Sequence, residues 1–148
     1  MNIAAHPVIA SLTPVFILVA LGFMAGRLQW IRDAAIKLGV SEVELLATQV
    51  GTSATRLRPE FKAIFEALPS LGRVMALTRN DWAVIEKHGA YDNVDIGDHV
   101  GLVLDPEIDL RLFYSQWAHG YAVTEGEQQS LQFFDAHGVA VHKVFTRP

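Results

Sequence analysis

The chain of 148 residues has no cysteine. Disulfides, thiol nucleophiles and cysteine metal sites are therefore excluded, and the redox compartment cannot be read from the sequence. The first 26 residues contain no Asp, Glu, Lys or Arg, and charge begins at Arg27. Basic excess is also missing. Twelve Lys and Arg stand against sixteen Asp and Glu, a formal net charge of −4, which argues against a nucleic-acid partner. The catalogued catalytic motifs are absent: there is no Walker loop, G-x-S-x-G, H-E-x-x-H or dinucleotide fingerprint. Asp92, Asp95 and Asp98 recur every third residue. Calcium loops place ligands at alternate positions, so "DNVDIGD" reads as a solvated turn.

What remains is hydrophobic and long enough for one domain with its own core. Apolar residues make up 51% and the mean hydropathy is +0.24. "HPVIASLTPVFILVALGFMAG", residues 6–26, is long enough to cross a bilayer. It lacks the basic start and cleavage site of a secretory signal. Arg27, Arg32 and Lys37 on its C-terminal side would face the cytoplasm. Gly22 and Gly26 form a G-x-x-x-G, a spacing that packs helices in lipid and also arises by chance among small residues. Residues 1–35 are expected to be a hydrophobic helix: an inner-membrane anchor touching lipid through residues 3–26, a fusion relic or misassigned start, or part of the fold. Residues 10–31 also show a weak resemblance to the opening helix of auxin-efflux-carrier permeases.

From residue 36 to 148 the pattern predicts a second domain. Ser41 and Glu44 form a capping box for a helix ending near Gly51. Pro59 opens another helix with Phe61, Ile64, Phe65 and Leu68 on one face. After Arg73 the runs become short, β-branched and aromatic, separated by "GD", "DPE", "EGE" and "DAHG". No crossover helix fits between them, so the strands pair antiparallel. Helices followed by an antiparallel meander define an α+β fold.

The chemistry-bearing residues concentrate on these strands. His88, His99, Arg111 and His119 fall on segments that adjacent strands of one sheet would bring together. "RLFYSQWAHGYAV", residues 111–123, adds five aromatic and imidazole rings to that arginine. Imidazole ligates iron, guanidinium pairs with carboxylates, and apolar walls sandwich a planar macrocycle. A strand histidine is more commonly a surface or satisfied residue, and an arginine an ordinary salt-bridge partner.

The ordered segments "LGVSEVELLA", "TRLRPEF", "VMALTRNDWAV", "EKHGAYDNV", "HVGLVLDPEIDLRLF", "SLQFFDAHG" and "AVHKVF" resemble the HemS/ChuX family of bacterial heme-utilisation proteins. The resemblance spans residues 36–147 and implies heme as cofactor. In HemS-type members two similar halves flank a heme cleft, and ChuX-type members are single halves that form homodimers. This chain looks like the first HemS-type half, so a homodimer is the expected partner state.

The family's arginine in "DLR" falls on Arg111, implying a contact with iron-bound water or a propionate. The principal axial histidine lies beyond this half, and a second histidine in an A-V-H-E stretch is replaced by Ile85. His88, on the opposite strand face, and His99 are the substitutes; the metal ligand itself stays open. The implied function is heme binding and intracellular heme transfer in iron acquisition. The alternatives are a half of a hemin-degrading enzyme and a truncated, membrane-tethered member without a tight ligand.

Overall fold

A computed structural model describes residues 24–80 and 82–146. The apolar run before Met24, and the anchor expected there, lie outside these residues. Among the described residues no helix is long and apolar enough to cross a membrane.

The chain divides into units Met1–Glu42 and Val43–Pro148. The first contains helix α1 (Met24–Leu38), with Lys37 in its last turn. Gly39 stops it at φ +67°, a left-handed conformation that costs glycine nothing. The amides of Gly39 and Val40 then reach back to the carbonyls of Ile36 and Ala35. Helix α2 (Glu42–Ala47) follows where the Ser41 box predicts a start, and β1 (Ala54–Arg56) comes after it.

Helix α3 (Phe61–Ala67) runs into a 3-10 turn at Leu68–Leu71. Phe61, Phe65 and Leu68 are buried as their spacing predicts. The strands are β2 (Val74–Arg79), β3 (Val84–Gly89), β4 (Val94–Ile96), β5 (Gly101–Leu104), β6 (Asp109–Leu112), β7 (Trp117–Glu125), β8 (Gln128–Asp135) and β9 (Ala140–Thr146). The fold is α+β and its named strands all pair antiparallel.

The strands do not form one sheet. Six lie in the order β1-β7-β8-β9-β2-β3, and β4-β5-β6 form a separate sheet of three. "DLRLFYSQW" breaks after Leu112: Phe113 leaves the extended region, Tyr114–Gln116 form a 3-10 turn, and β7 begins at Trp117. The expected turn around Asp95 contains the short strand β4.

One face of the large sheet supplies Val74, Ala76, Phe133 and Val144 to a core closed by α3 and the small sheet. The other carries a second cluster of Ala54, Tyr121, Val123, Phe134 and Ala140. Two contacts at the β5–β6 turn tie the small sheet to the large one. Arg73 grips Glu107 with two bonds, at 2.7 and 3.0 Å. Gly89 lets the β5–β6 turn approach β3 so closely that a Cβ there would stand 2.8 Å from Glu107 Cβ and 2.9 Å from Ile108 Cγ1. Gly89→Ala is therefore expected to lose about 1–3 kcal/mol by overpacking. A urea midpoint unchanged from wild type would show that the turn can retreat freely.

Candidate functional site

Strand alternation sorts the small sheet into two faces. Leu112, Val103 and the partly buried Leu110, Val94 and Ile96 join the core. The outer face carries Asp109 and Arg111 of β6, Leu102 and Leu104 of β5, and Asp95 of β4. Register sets Leu102 between Asp95 and Arg111, and Leu104 beside Asp109.

The Arg111 guanidinium donates to Asp109 Oδ1 at 3.0 Å, and both side chains remain more than half exposed. Phe113, just past the strand, is 61% exposed and Leu104 is 44% exposed. A planar hydrogen-bond donor thus sits beside the apolar Leu102, Leu104 and Phe113, on a face that also carries Asp95 and Asp109. That combination suits a flat amphipathic ligand carrying carboxylates.

His99 lies in the turn linking β4 to β5, at the sheet end where Gly101 pairs with Leu112. The Tyr114 hydroxyl holds this turn by donating to the Gly97 carbonyl, while its ring stacks on Phe65. Lys62 of α3 adds an ion pair to Asp98 at 3.1 Å. Their hydrogen bond, and after it their mutual field, raises the lysine pKa and lowers that of the carboxylate. Arg111 and His99 thus belong to the same three-stranded sheet, Arg111 on β6 and His99 in the β4–β5 turn.

His88 and His119 belong to the large sheet, on β3 and β7, which are not neighbours. His88 pairs with Met75 and Ile85 with Thr78, so adjacent register places His88 and Ile85 on opposite faces. In "RLFYSQWAHGYAV", Arg111 and Phe113 are exposed, whereas Leu112, Tyr114 and Tyr121 are buried. Trp117 packs on Phe133 at 5.0 Å and Phe65 at 5.2 Å. It also lines, with Tyr114, Glu66 and Lys62, an open cavity of about 600 Å³ that includes none of Arg111, His88 and His99. No group of three or more His, Asp or Glu among the described residues is arranged to hold a metal ion.

A further histidine was not among the sequence candidates. His142 lies in the centre of β9 and is 1% exposed. Its Nε2 is 2.6 Å from the Tyr91 hydroxyl and its Nδ1 is 2.7 Å from Thr78 Oγ1. The phenol is the more acidic hydroxyl, which favours the tautomer where it donates to Nε2 and Nδ1–H donates to Thr78. Desolvation lowers the imidazole from 6.5 to about 4, and burial pushes the Tyr91 phenol far above its usual range. Both groups stay neutral, and the imidazole is committed on both sides. Its one sequence signal was a histidine inside the apolar run "AVHKVF".

The family model of the haemin-degrading HemS.ChuX domain matches residues 39–148. The hemin transport protein HmuS of Yersinia pestis is 45% identical over 122 residues, covering 79% of this chain and 35% of that protein. The hemin transport protein HemS of Yersinia enterocolitica is 43% identical over the same length and shares. The chain thus spans about a third of these curated relatives. Holo-PhuS, a heme-binding protein from Pseudomonas aeruginosa, superposes with a TM-score of 0.82 at 44% identity, over 96% of this chain and 42% of that one. ChuS, described as an Escherichia coli heme oxygenase, gives 0.74 at 39% identity over 78% and 37%. ChuX, at 15% identity with a TM-score of 0.69, shares the fold. This chain belongs to the HemS/ChuX domain family.

Proposed function

We propose that this domain binds heme and takes part in intracellular heme transfer for iron acquisition. The observation that carries the reading is the exposed Arg111 guanidinium, paired with Asp109 and set beside Leu102, Leu104 and Phe113 on the outer face of the small sheet, in a chain of this family. Leu102, Leu104 and Phe113 supply area for the macrocycle, and Arg111 supplies charge and hydrogen bonds for a propionate or an iron-bound water. Heme itself would provide the redox-active iron. His99, in the β4–β5 turn of the same small sheet, is the first candidate ligand. His88 remains a candidate for a heme held beside β3. Nothing in the reading requires a nucleic acid, and its expected compartment is the cytoplasm.

Hemin titrated into the full chain is expected to develop a saturable Soret band. Arg111→Ala should weaken binding about tenfold, the size of one solvent-exposed charge-assisted bond. Arg111→Lys should recover part of that loss. His99→Ala and His88→Ala would show which imidazole shifts the band. A titration indistinguishable from free hemin would overturn the reading.

The ChuS relative described as a heme oxygenase makes heme breakdown the second reading. It requires loss of the Soret band that depends on added reductant and releases a tetrapyrrole. Self-association completes the proposal: a single half of this family is expected to form a homodimer, with a light-scattering mass of twice the chain.

A further inference from the structure

A buried hydrogen bond joins the large sheet to the passage into the small one. The chain enters the small sheet through residues 90–93, between β3 and β4. Tyr91 is the fully buried residue of this passage, whereas Asp92 and Asn93 are exposed. Its hydroxyl stands 2.6 Å from Nε2 of His142, whose Nδ1 is fastened to Thr78 across the β2–β9 pair. Beyond Tyr91, Asn93 takes φ +50° and makes two bonds with Leu104. Its carbonyl accepts from the Leu104 amide at 3.2 Å, and its side-chain amide donates to the Leu104 carbonyl at 3.1 Å. Leu104 pairs with Asp109, which accepts from Arg111. The imidazole is thus held by the large sheet, the passage by the imidazole, and the outer face of the small sheet by the passage.

We propose that His142 is a positioning residue for the Arg111 surface: through Tyr91 it holds the small sheet closed on the large one, and a proton on its ring favours release. This rests on the heme-binding reading above and adds a control on the same site. The neutral ring offers the phenol a lone pair on Nε2, and imidazolium has none. The residues facing the ring are Thr78 from β2, Phe133 from β8, Trp117 from β7 and Tyr91 from the passage. Tyr91 is the one titratable group among them and stays protonated, so no counter-charge offsets a proton on the ring. In the closed arrangement burial lowers the imidazole to about 4, and opening the passage hydrates it and restores the ordinary 6.5. Above pH 6.5 neither arrangement takes up the proton; between 6.5 and 4 only the open one does. Acid therefore shifts the balance towards opening, and a ligand that needs the closed face shifts it back.

Amide exchange of the full chain, followed by mass spectrometry and corrected for the intrinsic rate at each pH, tests this. Segments from residues 94–112, which hold β4 to β6, should exchange through a smaller opening than segments from residues 128–146, which hold β8 and β9. Between pH 7.5 and 5 the protection of residues 94–112 should still fall about thirtyfold, the effect of one proton taken up at 6.5 when open and about 4 when closed. In His142→Asn that fall should vanish. Hemin at about ten times its Kd should raise the protection of the same segments about tenfold. A small sheet protected as well as β8 and β9 opens only with the whole domain, and one that opens alone without pH dependence opens without freeing His142; either result overturns the proposal. Hemin that binds but leaves residues 94–112 unchanged overturns the control over the site. Absence of a Soret band removes the heme reading instead, while the pH dependence of exchange still decides whether His142 holds the small sheet.

Discussion

Phe133→Ala should lower stability by about 3–5 kcal/mol, the usual cost of emptying a phenyl site in a close-packed core. Phe133 is fully buried on β8 and faces Gly120 and His142 across the two neighbouring strands. Its ring lies 5.0 Å from Trp117, 5.4 Å from Phe65 and 6.1 Å from Phe61. It therefore joins α3, the start of β7 and the central strands. Three of the surrounding side chains are rigid aromatics, so the cavity cannot close by small rotamer shifts. A domain of this size commonly has about 5–15 kcal/mol in total, so the variant should be marginal at room temperature. Phe113→Ala is the contrast. That ring is 61% exposed, and its loss should change stability by no more than about 0.5 kcal/mol while removing apolar area beside Arg111. Guanidinium unfolding of the two variants separates the roles. Equal midpoints would contradict the division between inner and outer faces.

That division was partly legible in the sequence. Alternation along β6 separates Asp109 and Arg111 from Leu110 and Leu112, because period two is a local property of extended chain. The α3 face was legible for a similar reason: Phe61, Phe65 and Leu68 recur at helical spacing. The strand runs after Arg73 were recognisable from their β-branched and aromatic content. Their sorting into two sheets was not. β9 pairs with β2, and β1 with β7, across most of the domain. Such pairings depend on which apolar faces meet, information that no short window contains. Strand β4 escaped because its three residues sit among aspartates and expose as much as they bury.

The candidate site followed the same limit. Arg111 and His99 share the small sheet, whereas His88 stands on the edge of the large one, although all three occur on short adjacent-looking segments. Placing an imidazole within an apolar strand says nothing about the hydroxyls facing it. Tyr91 and Thr78 reach His142 from 51 and 64 residues away in the chain.

That buried imidazole should make the domain acid-labile over a defined range. In the unfolded chain a histidine titrates near 6.5, whereas His142 in the folded protein is lowered to about 4. Above pH 6.5 both states leave it neutral, and its contribution to stability is complete. Between 6.5 and 4 the unfolded chain takes up a proton that the folded chain refuses. Stability therefore falls as pH falls, by about 3 kcal/mol across the window at about 1.4 kcal/mol per pK unit. Below about pH 4 the loss from this group levels off. The ring neighbours offer no relief: Phe133 and Trp117 are apolar, and the raised phenol of Tyr91 stays protonated and cannot serve as a counter-ion. Urea midpoints measured at half-unit intervals from pH 7.5 to 4 would show the slope. His142→Asn should begin less stable at pH 7.5, because it cannot span both hydroxyls, and then lose much less between 6.5 and 4. Parallel curves for the two proteins would mean that exposed carboxylates, and not the buried imidazole, govern the acid limb.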